Sequence, residues 1–556
     1  MRPLTTLRRV LRFAAVASLA AAPAWAQRAL GVGDDASTLP AGRVRWSMGA
    51  LWDRANERYD ADGKLRALGV PAMTWNGSYD ARLASAGTLA QTLSGLASFD
   101  PSLGLLRIAR RDASADGVLG AEFGVLPRLT IGVSAQVASH GIEPYVVLNP
   151  ARTEGTMGLN PGWRSSTVHD ANALIVRQLD SAVAQTTRRI SQCVVTPTGT
   201  GCAPIIANLS AAQTLVANAS NFASALVALY GGRANGAGQP FVPVAGTLAQ
   251  RSIDQRLLAY RDQFVALGNA AIGAQSLVGA SLFSPADLGT LLTDSLYGYR
   301  LRPLRTVHAY GLGNVSVSAK ARVFETVGPD TAAIRGFAVR QAFGVTARLS
   351  GGDAPAANEP YAPTTGSGST GIALQSFTDL FYRDRYSATI VVGYGKDAAQ
   401  SYAMRIAAAD SPASGGVRFP LQLASREVTV ARTPSALLQI SVTPRVALTS
   451  NLWLGAGWSY AAQGSDAWSA ADASASGGPS AADVAYWAAG TEWKEQRFVL
   501  GGTYSTVAAA KAGRAKRAFD VSYQHEQTVA GSGTRTAHLS RDVVTLRWYA
   551  RLWGKR

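Results

Sequence analysis

The sequence predicts an all-β transmembrane barrel of about 12–14 antiparallel strands with an inserted α-helical subdomain. Three observations predict it. The chain opens with an export signal. It then repeats segments of about 9–13 residues in which apolar residues alternate with small or polar ones, close to the ~10 a tilted membrane-crossing strand requires. Short turns alternate with long loops between those segments.

Residues 1–26 have the three parts of a cleavable signal peptide. Arg2, Arg8, Arg9 and Arg12 precede an apolar core from Phe13 to Ala22, and Ala24-Trp25-Ala26 is an A-x-A cleavage site. The core, at about 10 residues, is too short to span a bilayer as a helix. The mature chain is therefore expected to begin at Gln27 and to be exported. No later apolar run reaches the ~20 residues of a spanning helix.

Composition agrees with a barrel. Only 16% of residues are charged, against about 25% in most soluble domains, while the chain holds 56 Gly, 12 Trp and 18 Tyr. The formal net charge is +17, but the basic residues are scattered and form no block of like charge. Export and the missing cluster argue against a nucleic-acid partner. Cys193 and Cys202 flank VVTPTGTG, a Thr/Pro/Gly turn, so in an exported chain they are expected to form a local structural disulfide. Their spacing is not the C-x-x-C of redox centres.

The strands follow in order. In 43–53, Val44, Trp46, Met48, Ala50 and Trp52 share one face, with Arg43, Arg45, Ser47 and Gly49 on the other. The stretch 115–137, ADGVLGAEFGVLPRLTIGVSAQV, is a hairpin turning at Leu126-Pro127-Arg128. Its second face carries only Gly120, Glu122, Gly124, Thr130, Gly132, Ser134 and Gln136, much less charge than a solvated sheet face would carry. Residues 312–324 and 336–349 alternate in the same way, except that Gln341 falls on the apolar side. Further segments are 374–382, 386–395, 435–448, 452–461, 483–493, 498–505, 517–526 and 542–553. That makes an odd count of 13, whereas a bacterial barrel wants an even one. Residues 104–111, GLLRIARR, could supply the missing strand, or one segment could be loop. Short turns are expected after residues 125, 382, 448 and 493. The longest of the other loops, 351–373, is Gly/Ser-rich and expected to be mobile.

Such a pattern has a physical cause. An apolar face meets lipid, a small or polar face lines a lumen, and only closure satisfies every backbone group in hydrocarbon.

Residues 168–300 break the period. Helical spacing runs through 170–190, 208–230 and 246–267, and Ser284-Pro285 reads as an N-cap followed by Pro at the first helical position. The expected organisation is a signal peptide (1–26), N-terminal barrel strands (27–167), a helical insert holding the disulfide (168–300) and C-terminal barrel strands (301–556). The insert is expected on the long-loop, extracellular side, with a lumen plug as the alternative.

No enzyme chemistry is legible. The five histidines (His140, His169, His308, His525 and His538) have no ligand spacing, and no nucleophile elbow, Walker A or zinc signature occurs. Gly311-Leu312-Gly313 reads as a strand-entry turn, and Ser522 and His525 fall on opposite faces of one strand. Catalytic residues, metal and cofactor are therefore expected to be absent. The inner faces instead gather cations: Arg43, Arg45, Lys320, Arg322, Arg340, Arg348, Arg445, Arg547 and Arg551 point inward, because Arg or Lys facing lipid costs about 2–4 kcal/mol at the midplane. They are either solvated or paired charges supporting the barrel, or a positive lining of a solute path that concentrates anions. Glu122, Asp520 and Glu526 are candidates to neutralise part of that field.

GDDASTLPAGRVRWSMGALW, EFGVLPRLTIGVSAQV and GLGNVSVSAKARVF resemble the outer-membrane barrel proteins grouped as the MetA-pathway of phenol degradation. Gly313-Asn314-Val315 with Ala319-Lys320 is similar to that group's Gly-Asp-Val…Ala-Lys strand, with Asn in place of Asp. The resemblance covers about half the chain. It implies a Gram-negative outer-membrane transporter that moves small, including aromatic, solutes, and it carries over no catalytic residue. The C-terminal VVTLRWYARLWGKR alternates like a barrel assembly signal, but Trp553 is followed by Gly554-Lys555-Arg556 where an aromatic end is usual.

The functional expectation is an outer-membrane, porin-like channel or transporter for small solutes, anionic or aromatic. The alternative is a non-transporting surface protein whose insert and loops mediate adhesion or assembly. Expected partners are outer-membrane lipid, a small-molecule solute and, during biogenesis, the barrel-assembly machinery.

Overall fold

A computed structural model of the chain describes residues 34–551 except 151–154, 232–237, 270–272, 274, 296–297, 328–333, 353–355, 367, 407–425, 471–478, 480 and 534–535. The expected signal peptide (1–26) and the C-terminal residues 552–556 lie outside the described residues.

Twelve long antiparallel strands form the wall: β1 (Arg43–Ala55), β2 (Ser102–Leu126), β3 (Leu129–Leu148), β4 (Val307–Glu325), β5 (Phe337–Leu349) and β6 (Gly371–Tyr382). They continue as β7 (Tyr386–Asp397), β8 (Leu437–Ala447), β9 (Leu452–Gln463), β10 (Trp493–Ser505), β11 (Phe519–Ser532) and β12 (Ser540–Arg551). Each pairs with its neighbours in the chain, and β1 pairs on one edge with β2 and on the other with β12, from Arg43↔Arg551 to Arg54↔Ser540. The wall is closed and its count is even. No edge is left to expose N–H and C=O groups to lipid, which is what hydrocarbon demands of a spanning sheet.

Register separates the two faces. Trp46, Leu119, Val133, Phe343, Leu454 and Leu500 stand out from the wall with about half their surface exposed. Among the described residues no helix is long and apolar enough to cross a membrane. Gln341, the polar residue on the apolar face, is satisfied by its neighbours. Its amide donates to Ser376 Oγ (2.8 Å) and its carbonyl accepts from Thr378 Oγ1 (2.5 Å).

Four sequence expectations are corrected. Residues 483–493 are not a strand: Ala481–Ala488 is an α-helix, and Trp493–Ser505 is one continuous strand. The Ala-rich stretch supports a helix, and Trp487 buries against Val430 in a small loop cluster. No short turn follows residue 493, since the connection from Gln463 to Trp493 belongs to the long side. Residues 104–111 are the upper part of the 25-residue β2, not a separate strand. Gly311-Leu312-Gly313 lies inside β4, not at its entry. There a Cβ on Gly313 would sit 2.7 Å from the carbonyl oxygen of Thr365, so the glycine admits the 350–370 loop against the strand.

At one end the strands join by tight turns at 127–128, 383–385 and 448–451, and by 326–336 and 506–518. The other end carries the long connections. Between β1 and β2 stands α1 (Ala81–Ser94), which sequence periodicity did not disclose; Asp80 caps it by accepting from the Arg82 N–H. Between β3 and β4 stand α2 (Ser166–Val195), α3 (Leu209–Tyr230), α4 (Leu248–Ala266) and α5 (Pro285–Thr293). Ser284 and Asp287 form a reciprocal capping box at α5. Cys193 and Cys202 are disulfide-bonded, with Cα atoms 5.2 Å apart. One core unites these helices with α1 and the upper part of β2, through Phe222, Leu226, Phe264, Leu93, Leu103 and Leu106.

Val133 stands at mid-height on the outer face of β3. Val133→Arg is expected to destabilise the barrel by about 2–4 kcal/mol in reversible urea unfolding from lipid vesicles. Arg at Ser441, on the lumen face, is expected to cost much less.

Candidate functional site

The lumen is the site, and the chain's own N-terminal segment occupies part of it. Before β1 begins, residues 34–40 run along the inside of the wall, with Asp35, Ala36, Ser37, Thr38 and Leu39 buried. Leu39 packs with Val507, Ala518 and Tyr549 near the tight-turn end, and its N–H donates to Thr130 Oγ1 (2.7 Å). Ala36 is fully buried against Ala342 and Phe377, and its N–H donates to Asp379 Oδ2 (3.0 Å). Lys320 Nζ donates to Asp34 Oδ1 (2.7 Å) and to the Asp35 carbonyl (2.9 Å), and lies 4.1 Å from the Phe377 ring centroid.

This explains the little bulk on the inner face of the β2–β3 hairpin. A Cβ on Gly124 would fall 2.1 Å from the Pro40 carbonyl oxygen, and one on Gly132 would fall 2.8 Å from Ser318 Oγ. Glycine at 124 leaves room for the segment to pass.

The predicted inward cations do not form one positive lining. Arg340 is buried in an ion pair with the fully buried Asp379 (2.6 Å), whose other oxygen accepts from Thr389 Oγ1 (2.6 Å). Arg445 donates to Thr389 Oγ1 (2.7 Å). Arg45 pairs with Glu122. The Asp35 carboxylate stands within electrostatic reach of Arg340, Lys320 and Arg45, so these residues converge on the segment. Others lie apart. Arg348 pairs with Asp397 (2.5 Å) toward the long-loop end, Arg322 pairs with Glu325 (2.8 Å), and Arg547 faces Asp520 in register. Arg43 and Arg551 oppose each other where β1 meets β12.

Of the three expected neutralising carboxylates, Glu122 does pair. Glu526 sits 3.6 Å from Arg497, while Asp520 accepts from Ser505 Oγ (2.6 Å) and from the Tyr549 hydroxyl (2.5 Å). Sequence reasoning passed over Asp34, Asp35, Asp379 and Asp397. The signal for the first two was an acidic doublet just ahead of the first strand of an arginine-rich barrel.

Beside the segment a lumen cavity of about 310 Å³ remains, touching Asp34 and walled by Gln375, Phe377, Gln439, Ser441, Ser459 and Trp493. Its charged lining residues include Glu495 and Arg497, which bind each other (2.5 Å). The lining offers ring faces, amides and hydroxyls rather than free charge. Among the described residues no three His, Cys, Asp or Glu side chains are placed to hold a metal ion.

No protein-family model matches the chain, and no curated protein matches it. Among solved structures it is similar to an outer-membrane channel from Pseudomonas putida F1, at 7% identity over 93% of this chain and 98% of that one, with a TM-score of 0.39. It is also similar to the Pseudomonas putida toluene transporter TodX, at 11% identity over 92% and 90% with a TM-score of 0.24. A Pseudomonas aeruginosa FadL homologue aligns at 8% identity over 96% and 99%, with a TM-score of 0.26. Likeness at this level carries nothing about solute or mechanism.

Two substitutions test the lumen geometry. Asp379→Ala leaves Arg340 buried without its partner and is expected to cost about 3–5 kcal/mol in urea unfolding. Gly124→Val is expected to leave the barrel folded but to expel residues 34–40, read as new protease cleavage near Asp35.

Proposed function

We propose that the protein is an outer-membrane channel for small solutes whose lumen is held closed by its own N-terminal segment. The observation that carries this reading is the ion-paired seat of Asp34–Pro40 inside a closed wall with an apolar exterior. A segment fixed by Lys320, Thr130 and Asp379 is a removable obstruction, whereas wall side chains alone would fill a barrel permanently. Its ties are a few hydrogen bonds and ion pairs in a polar lumen, where water can replace them.

The cavity beside the segment supports the solute class. Phe377 and Trp493 offer ring faces, Gln375, Gln439 and Ser441 offer hydrogen bonds, and nearby charges are already paired. This favours small aromatic solutes with polar groups over a general anion path. The phenol-degradation resemblance of 313–320 is consistent with that class. Export through residues 1–26 and delivery by the barrel-assembly machinery belong to the same reading.

The helical body at the long-loop end favours a second reading, a surface protein that uses the barrel as an anchor. Planar-bilayer recording separates the two. The full chain is expected to open rarely, and a variant lacking 27–40, or carrying Asp34→Asn with Asp35→Asn, is expected to open at least ~10-fold more often. A truncated chain that is folded yet never conducts would favour the anchor.

A further inference from the structure

The outside of the wall carries a feature the channel reading does not use. On the face turned away from the lumen, β12, β1, β2, β3 and β4 enclose an open concavity of about 560 Å³ near their long-loop ends. Register fixes the face. Arg54 pairs across to Ser540 on one side and Ala113 on the other, Ala113 to Gly141, and Gly141 to His308. Following that face down β2, β3 and β4 leads without a shift to Leu119, Val137 and Leu312, each about half exposed. Ala113 and Gly141 are small and form the floor.

Arg54, Arg111 and His308 line the hollow and are exposed. Among the described residues none of them makes an ion pair. Two carboxylates also line the hollow: Asp112 is paired with Arg110, and Glu143 stands opposite Arg111 in register without bonding to it. Asp542 lies within electrostatic reach of Arg54 but is bonded by the Tyr523 hydroxyl (2.8 Å) and His525 Nδ1 (2.9 Å) instead. His538, also in the lining, is tied to Glu57. Tyr145 and Tyr310, the most exposed aromatics on the wall, flank the site, at the level where an aromatic girdle marks the membrane interface. Exposed guanidinium groups on the outward face at this level suit anionic headgroups, and a planar guanidinium suits a phosphate.

We propose that this concavity binds a phosphate-bearing, acylated glycolipid of the outer leaflet. Arg54 and Arg111 hold the phosphate, His308 borders it, and the strip of Leu119, Val137 and Leu312 below takes an acyl chain. Charge complementarity sets the headgroup, and the apolar continuation separates a lipid from free phosphate. The proposal rests on the outer-membrane reading, and its test is separable from it.

The test uses the full chain purified in a neutral detergent, with native mass spectrometry as the readout. The probe is a bis-phosphorylated, hexa-acylated glucosamine disaccharide, compared with its dephosphorylated form and with inorganic phosphate. The expected result is retention of the bis-phosphorylated lipid, with at least ~10-fold weaker binding of the dephosphorylated lipid and of lipid to Arg54→Gln/Arg111→Gln. Gly141→Leu, which fills the floor where a Cβ would already meet His308 Nδ1 at 2.9 Å, is expected to block binding with both arginines intact. Heat-modifiable electrophoretic mobility confirms that each variant is a folded barrel. Equal binding by the double variant, equal binding of the dephosphorylated lipid, or no retention by folded wild type would overturn the proposal. None of those outcomes touches the channel, which is read by conductance.

Discussion

The structure depends on closing β1 against both β2 and β12. A strand in hydrocarbon has no water to turn to, so each N–H and C=O must find a partner in the wall. Once the ring is closed, inward residues of the bilayer-level wall belong to a lumen and outward ones to lipid. Nearly everything else follows from that partition: where arginine is tolerated, where glycine is useful, and why β1 begins at the rim where β12 ends. The seam holds twelve register pairs between β1 and β12, so the ring is sealed along the length of β1.

Closure creates a second problem, which the lumen solves locally. Inward arginines escape lipid but are then crowded together, and Arg340 has almost no access to water. Breaking a buried pair is costly even where forming one gains little. The carboxylates that meet these cations come from the wall, through Asp379, Glu122 and Asp397, and from the N-terminal segment, through Asp34 and Asp35. Lumen electrostatics and lumen occlusion are therefore one arrangement. A segment that supplied no acid would leave Lys320 with less to hold.

The barrel was legible because lipid on one side and a polar lumen on the other impose a period of two. Val315, Val317, Ala319 and Ala321 against Ser316, Ser318 and Lys320 show it plainly. Where the bilayer ends, that contrast ends too. The upper part of β2 packs Leu103, Leu106 and Ile108 into a helical core, so it looked like a doubtful extra strand. Residues 481–488 lie in the loops, where an Ala-rich stretch with Val484, Tyr486 and Trp487 fits either period. The sequence offers each inward cation singly, from the cost of facing lipid. It does not offer their grouping, which depends on which strands become neighbours and on a segment with no period of its own. The outer basic hollow was equally hidden, since Arg54, Ala113, Gly141 and His308 meet only through register.

The account stands or falls on which face touches acyl chains. Both cysteines are locked in a disulfide, so single labelled cysteines can be placed at will. Fluorophores at Val133, Val345, Leu454 and Leu500 should be quenched by lipids brominated at mid-chain and shielded from aqueous iodide, while one at Ser441 should show the reverse. Iodide quenching at the first four positions, with no response to brominated lipid, would contradict the barrel's placement in the membrane.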